Sequence, residues 1–394
     1  MLLSRRSALL GLTSAVSLGR VSLAMASAPT DRRFVVVILR GALDGMAAVT
    51  PYGDPNLATW RAELLPPGVG QQDGLFDLGG FYGLHPALPG LYGMYKSGEV
   101  LPVHAVAGSY RSRSHFEAQD YLESGADHRM TSGWLNRAVA AMPPSRTAGP
   151  GGQALAVGIS MPLLMRGPAE VGSWAPQSFG QPDPDIYIRL AALHQSDPVT
   201  GPAIAEGLRE RGFTTTALAN AEAPQNKYAF PALAGAAGKL MAAPDGPRIA
   251  ALEIGGWDTH AGQKGRLTGA LKQLDDGLVA LKAGLGDAWR NTVVLTMTEF
   301  GRTVRINGTK GTDHGTGTVA FVLGGGVAGG RVQANWPGLA QDRLLENRDL
   351  MPTADLRSVA KGLLAQHLGL PPAALAQVFP GSESAAPMKG LLRA

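Results

Sequence analysis

Phe34-Val35-Val36-Val37-Ile38-Leu39, running into Arg40-Gly41-Ala42-Leu43-Asp44-Gly45, is the stretch that decides the fold. Six apolar residues in a row, four of them β-branched, suit a strand covered on both faces, and the glycines then force a turn. Similar short runs occur at Val100–Val106, Ala154–Val157, Arg248–Ile254, Thr292–Thr296 and Val319–Leu323. Helical patterns lie between them. Leu267, Leu271, Leu274, Leu278, Leu281 and Leu285 form one stripe of an amphipathic helix. Thr353 to Leu368 reads as another, with Thr353 as N-cap and Gly369 as the stop. Buried strands alternating with helices predict an α/β fold: a three-layer α/β/α sandwich around a mostly parallel sheet.

Composition narrows the class further. The chain has 394 residues, 45% apolar and 17% charged, enough for a large core. Its 53 glycines and 28 prolines predict many turns, and Pro51–Gly80, Met142–Gly152 and Gly167–Asp185 read as long excursions from the sheet. Ala217–Ala236 reads as either helix or connector. There is no cysteine, which excludes a disulfide scaffold, a thiolate metal site and a Cys nucleophile. The net charge of +4 owes three arginines to the first 26 residues, which hold no acid. The remainder is near neutral and has no basic block, so nucleic acid is not an expected partner.

Those first 26 residues read as an address. Arg5-Arg6 precedes a modest apolar run, and Ala24-Met25-Ala26 supplies a small-x-small cleavage pattern. The pair reads as a twin-arginine export signal; a general secretion signal or retained anchor is the alternative. The division expected is residues 1–26 as signal peptide and 27–394 as one domain with long loop insertions. The mature chain carries no transmembrane segment in this reading, meets the twin-arginine export machinery, and resides in the periplasm or outside the cell.

In an open parallel sheet, ligands sit beyond the C-terminal strand ends. Asp44 follows the first strand, and Ser109 to Glu117 follows the run ending at Val106. Asp258-Thr259-His260 follows Ile254, and Thr298-Glu299-Phe300-Gly301-Arg302 follows Thr296. Asp313-His314 comes just before Val319. Carboxylates mixed with imidazoles suit Zn, Mn or Fe, and with more carboxylate Mg or Ca. Asp44, Asp258, His260, Glu299, Asp313 and His314 are therefore the candidate ligands of one or two divalent ions. Ser114 reads either as an N-cap completed by Glu117 or as a metal-activated nucleophile at a helix start. Phe116 and Leu122 are expected to face inward from that helix. Arg40, Arg111, Arg113 and Arg302 stand ready to clamp an anionic ester or to balance carboxylates. His85 and His104 read as core or loop hydrogen-bonding groups.

The ordered motifs Leu39-Arg-Gly-Ala-Leu-Asp-Gly45, Pro51-Tyr-Gly-Asp54, Gly83-Leu-His-Pro-Ala-Leu88, Arg113-Ser-His-Phe-Glu-Ala-Gln119, Gly255-Gly-Trp-Asp-Thr-His260, Thr298-Glu-Phe-Gly-Arg302 and Gly311-Thr-Asp-His-Gly315 resemble the DUF1501 family of exported bacterial proteins. That family is similar to the alkaline phosphatase-like superfamily. The resemblance implies an alkaline phosphatase-like sandwich, a two-metal site and a hydroxyl nucleophile matched by Ser114. It also implies Asp258 and His260 on one metal, Glu299 on the second, Asp44 as the acid after the first strand and His314 as the late histidine. The superfamily's Asp-x-x-x-His becomes Asp258-x-His260 here, and its strand-end Asp-His becomes Glu299-Phe300. The expectation is an exported metal-dependent hydrolase of phosphate or sulfate esters, acting on an anionic small molecule or glycan ester, with Ser114 attacking and Arg113 or Arg40 holding the oxygens. The alternative is a non-catalytic envelope binding or structural protein reusing the fold.

Overall fold

The computed structural model describes residues 31–143, 153–176 and 229–393, with isolated positions between 192 and 226. The leader at residues 1–26 lies outside the described residues, as do 144–152 and 177–185 of the excursions expected at 142–152 and 167–185. The strands are β1 (Arg33–Leu39), β2 (Val49–Thr50), β3 (Phe76–Asp77), β4 (Gly83–Leu84), β5 (Val100–Ala107), β6 (Ala154–Val157), β7 (Gly172–Trp174), β8 (Ile249–Ile254), β9 (Thr292–Met297), β10 (Thr318–Leu323) and β11 (Ala354–Asp355). The helices are α1 (Gly45–Ala48), α2 (Leu57–Arg61), α3 (Pro89–Lys96), α4 (His115–Ser124), α5 (Trp134–Ala141), α6 (Phe230–Ala242), α7 (Gln263–Leu285), α8 (Leu356–Leu368) and α9 (Pro372–Val378).

Eight strands form the central sheet in the order β11-β5-β10-β9-β1-β8-β6-β7. β1 lies inside it, parallel to both neighbours: Val36 sits opposite Ala251 of β8 and Leu295 of β9. Each residue of β1 is buried, as a strand with helices on both faces must be. Its side chains alternate between two cores. Val35, Val37 and Leu39 join one with the α7 leucines and with α3 and α6. Phe34, Val36 and Ile38 join the other with α5, α8 and α9. The result is three layers, helix on sheet on helix. The six leucines of the predicted stripe are all buried, and truncating one such as Leu274 to Ala costs about 2–5 kcal/mol.

Among the described residues of the central sheet, β10 alone runs against the rest, antiparallel to β5 and to β9. The segment 298–317 therefore leaves β9 and enters β10 at the same edge of the sheet. That reversal is the physical reason a polar cluster precedes β10 while the other clusters follow their strands. β2, β3 and β4, which flank and close the Pro51–Gly80 excursion, form a small second sheet in the order β2-β4-β3.

Three local expectations are corrected. Ala354 and Asp355 pair with Val106 and Ala107 as an edge strand, so α8 begins later than predicted. Asp355 rather than Thr353 caps it, accepting from Arg357 N–H; Gly369 ends it in the left-handed conformation as expected. Leu122 packs inward from α4, but Phe116 is 85% exposed, because α4 turns that side away from the sheet. Among the described residues no helix is long and apolar enough to cross a membrane.

Candidate metal centre

Loops from one sheet edge meet above β1, β8 and β9. The loop after β5 delivers His115 as the first residue of α4, and the loop after β8 delivers Asp258 and His260. The segment between β9 and β10 delivers Glu299, Arg302, Asn307, Asp313 and His314. Glycine permits the approach at two points. Gly41 has φ +118° and a Cβ there would stand 2.8 Å from Asp258 N; a Cβ on Gly311 would stand 2.1 Å from His260 O.

Three donors form the centre: His115 Nε2, His314 Nε2 and Asp258 Oδ1. The two imidazole nitrogens are 3.0 Å apart. Asp258 Oδ1 is 3.5 Å from His115 Nε2 and 3.4 Å from His314 Nε2. A cation with tetrahedral ligands at about 2.0–2.1 Å spaces them by about 3.3 Å. This group could hold a metal ion. His260 adds a fourth donor beside it, with Nε2 at 2.9 Å from His314 Nε2 and 3.1 Å from Asp258 Oδ1.

What stands behind each ring fixes its tautomer. His115 Nδ1 is 2.7 Å from Glu299 Oε1, and His260 Nδ1 is 3.1 Å from Asp313 Oδ1. His314 Nδ1 is 2.9 Å from the Arg113 carbonyl oxygen. All three partners are acceptors only, so each Nδ1 carries the proton and each neutral ring offers its Nε2 lone pair. Lone pairs 2.9–3.0 Å apart repel unless a proton or a cation lies between them. An acceptor behind every ligating imidazole is the usual support of a metal site. The backbone serves the same end: Arg113 has φ +61°, and its side chain is anchored to buried Asp349 and to Glu346.

The electrostatics agree. Burial pushes the Glu299 carboxyl up, but hydrogen bonds led by the one from His115 hold it below its ordinary value. Burial also raises Asp258, and the hydrogen bond and charge of Arg302 outweigh it, leaving that carboxyl lowered. The Asn307 hydrogen bond leads in lowering Asp313. The Glu299 hydrogen bond raises His115, whereas burial, with the charge of His115 adding to it, lowers His314.

The expected residues divide. Asp258, His260 and His314 come together. Glu299 and Asp313 stand one layer back, holding imidazole Nδ1 atoms. Asp44 is elsewhere: fully buried, it caps α1 and is paired with Arg61, Nη2 at 2.8 Å from Oδ2 and Nη1 at 2.9 Å from Oδ1. Gln263 Nε2 donates to the same carboxylate at 2.5 Å. That network satisfies Asp44 as a structural acid. Arg40 is engaged by Glu123, Gln119 and Glu253, and Arg113 by Asp349 and Glu346, so neither guanidinium is free for an oxyanion. Arg302 is buried and donates to Asp258 Oδ1 at 2.7 Å, in its carboxylate-balancing role. Ser114 is the N-cap residue of α4, but its side chain makes no capping bond. Glu117 instead accepts from the Tyr110 phenol, and the expected capping box does not form.

His115 is the residue the sequence reading passes over. The signal was present: it is one of three histidines lying beside strand ends at a common edge. Ser114, next to it, matched a capping pattern and drew the assignment.

No curated protein matches the chain in sequence. In three dimensions it is similar to the C-terminal periplasmic domain of EcEptC from Escherichia coli in complex with Zn (9% identity, 75% of this chain and 73% of that one, TM-score 0.33). It is also similar to a putative sulfatase from Bacteroides thetaiotaomicron (11% identity, 92% and 76%, TM-score 0.32). A protein in the alkaline phosphatase superfamily from Vibrio parahaemolyticus is a third (12% identity, 75% and 61%, TM-score 0.29). The α/β/α assignment itself rests on the strand pairing. In sequence, residues 92–379 match the family described as "Protein of unknown function (DUF1501)", and the chain belongs to that family.

Proposed function

We propose that this protein is an exported metal-dependent hydrolase of phosphate or sulfate esters, with one divalent cation held by His115, Asp258 and His314. The observation that carries the proposal is the convergence of imidazole lone pairs on one carboxylate oxygen, each ring fixed from behind by an acceptor. Three protein ligands leave a position for an ester oxygen, as catalytic sites do. Zn suits the two-imidazole, one-carboxylate set best, with Mn next. When bound, the cation supplies Lewis acidity toward a phosphoryl or sulfuryl oxygen.

The chain's own residues take the remaining roles. Ser114, one residue before His115 and free of a capping bond, is the proposed nucleophile: its Oγ attacks phosphorus or sulfur and the ester oxygen departs. His260, held at Nδ1 by Asp313 as a catalytic base is held by its orienting acid, would take the hydroxyl proton and return it to the leaving alkoxide. Water then releases the anion and regenerates Ser114. Arg302 keeps Asp258 ionised and in place. Export by the twin-arginine route, into the periplasm or beyond, is supported by Arg5-Arg6 and Ala24-Met25-Ala26.

The test is turnover of nitrophenyl phosphate, bis-nitrophenyl phosphate and nitrophenyl sulfate by protein loaded in turn with Zn, Mn, Mg and Ca. Activity with one ester class, lost in Ser114→Ala and on chelation, is expected. Metal binding with no turnover of any ester would remove the hydrolase reading. A second reading, a structural metal in a non-catalytic envelope protein, is favoured by one observation: His260 brings a fourth donor, enough to close a tetrahedron. Chelation that lowers Tm without any measurable turnover supports that reading instead.

A further inference from the structure

A second feature of the molecule is independent of the metal centre. A cavity of about 500 Å³ opens between the 64–87 excursion and the first turns of α7, within the size range of small-molecule sites. Its apolar wall includes Pro66, Pro67, Pro86 and Leu267. Its polar groups are mostly donors. His85, from the Gly83-Leu-His-Pro motif that the proposed reaction does not use, lines the cavity and is only 7% exposed. Its Nδ1 accepts the Ala87 N–H at 3.1 Å, so the ring proton is on Nε2. Nε2 has no partner among the described residues.

Burial, reinforced by the nearby charge of Lys264, lowers His85 to about 4. At neutral pH it is therefore an uncharged donor rather than a second cation. Lys264 also lines the cavity and makes no ion pair among the described residues. Lys272, deeper along α7, is paired with Asp276. The first turn of α7, which forms this wall, has neither an acidic residue nor a side-chain cap to offset its positive dipole end. Asp73 is the one acid of the lining.

We propose that this cavity binds a small organic anion, its acid group on His85 Nε2–H and Lys264 Nζ and its apolar body against the prolines. The acid group is a carboxylate or a phosphomonoester, since both accept from a neutral N–H and an ammonium. The site adjoins the metal-bearing loop: Gln263, in the cavity wall, accepts from Thr259 Oγ1 at 2.9 Å, between Asp258 and His260.

The experiment is calorimetric titration of the full-length protein with octanoate, octyl phosphate, inorganic phosphate and octanol. At least one amphiphilic anion is expected to bind about tenfold or more tighter than octanol and inorganic phosphate, and whether it is octanoate or octyl phosphate identifies the acid group. Lys264→Met, at an exposed position, is expected to weaken it about tenfold. His85→Phe is expected to abolish it, while His85→Gln, which keeps an N–H donor, retains part. Anion binding at the metal centre would instead survive Lys264→Met and disappear with EDTA. Octanol binding as tightly as the anions, unchanged affinity in Lys264→Met, or no binding of any probe up to ~10 mM would each overturn the proposal. If His85→Phe fails to fold, the Lys264→Met comparison decides alone.

Discussion

Asp44 and Asp258 both follow a strand of the same sheet, at the same edge, within the same kind of Gly-rich turn, yet their surroundings make them different groups. Asp44 is closed in by Arg61, Gln263 and the α1 backbone, which together saturate its oxygens. Asp258 also has an arginine, but its Oδ1 additionally faces three imidazole Nε2 atoms at 3.1–3.5 Å. A carboxylate whose charge is already matched by a side chain is part of the framework. One that faces converging lone pairs offers a place to a proton or a cation.

The comparison can be broken most forcefully at Asp44. Asp44→Ala leaves a buried Arg61 unpaired and should cost about 3–5 kcal/mol in urea unfolding, with metal per folded chain unchanged. A large metal loss with little loss of stability would reverse the assignment of the two acids.

Acid should find the Asp44 side next. His104, in β5 close to Asp44, is fully buried and lowered to about 4, chiefly by burial. Its folded pKa lies below the unfolded value, so the unfolded chain binds the proton first. Stability is full above about pH 6.5 and falls on acidification toward pH 4, by roughly 3 kcal/mol from this residue. His104→Gln should flatten the stability profile in that window; an unchanged slope contradicts the burial argument.

On the other side, His314→Ala removes the donor shared by both imidazole contacts. Metal affinity should drop about a hundredfold or more, with the chain still folded by circular dichroism. Glu299→Gln, one layer back, keeps an acceptor behind His115 but removes its charge, and a loss of about ten- to a hundredfold is expected. If Glu299→Gln costs more than His314→Ala, Glu299 is itself a ligand.

Much of the fold is legible because burial on both faces leaves a mark: β1, β8, β9 and β10 are apolar runs, and the α7 stripe repeats at helical spacing. Strand direction leaves no such mark, which is why the reversal of β10 emerges only from the pairing. Asp258, His260 and His314 are legible because they sit beside strands at one edge. Asp44 looks the same locally; what distinguishes it is Arg61, carried on a short helix within a Pro/Gly-rich excursion that periodicity does not describe. His115 depends on the left-handed turn at Arg113, and non-glycine residues give little sign of such a turn.

The central claim is tested most directly by the metal-to-protein ratio after equilibrium dialysis against Zn, for the wild type and His314→Ala side by side. The account predicts about one tightly held ion per wild-type chain and its loss in the variant. A wild-type chain that retains no ion, or a His314→Ala chain that retains it equally well, would contradict it.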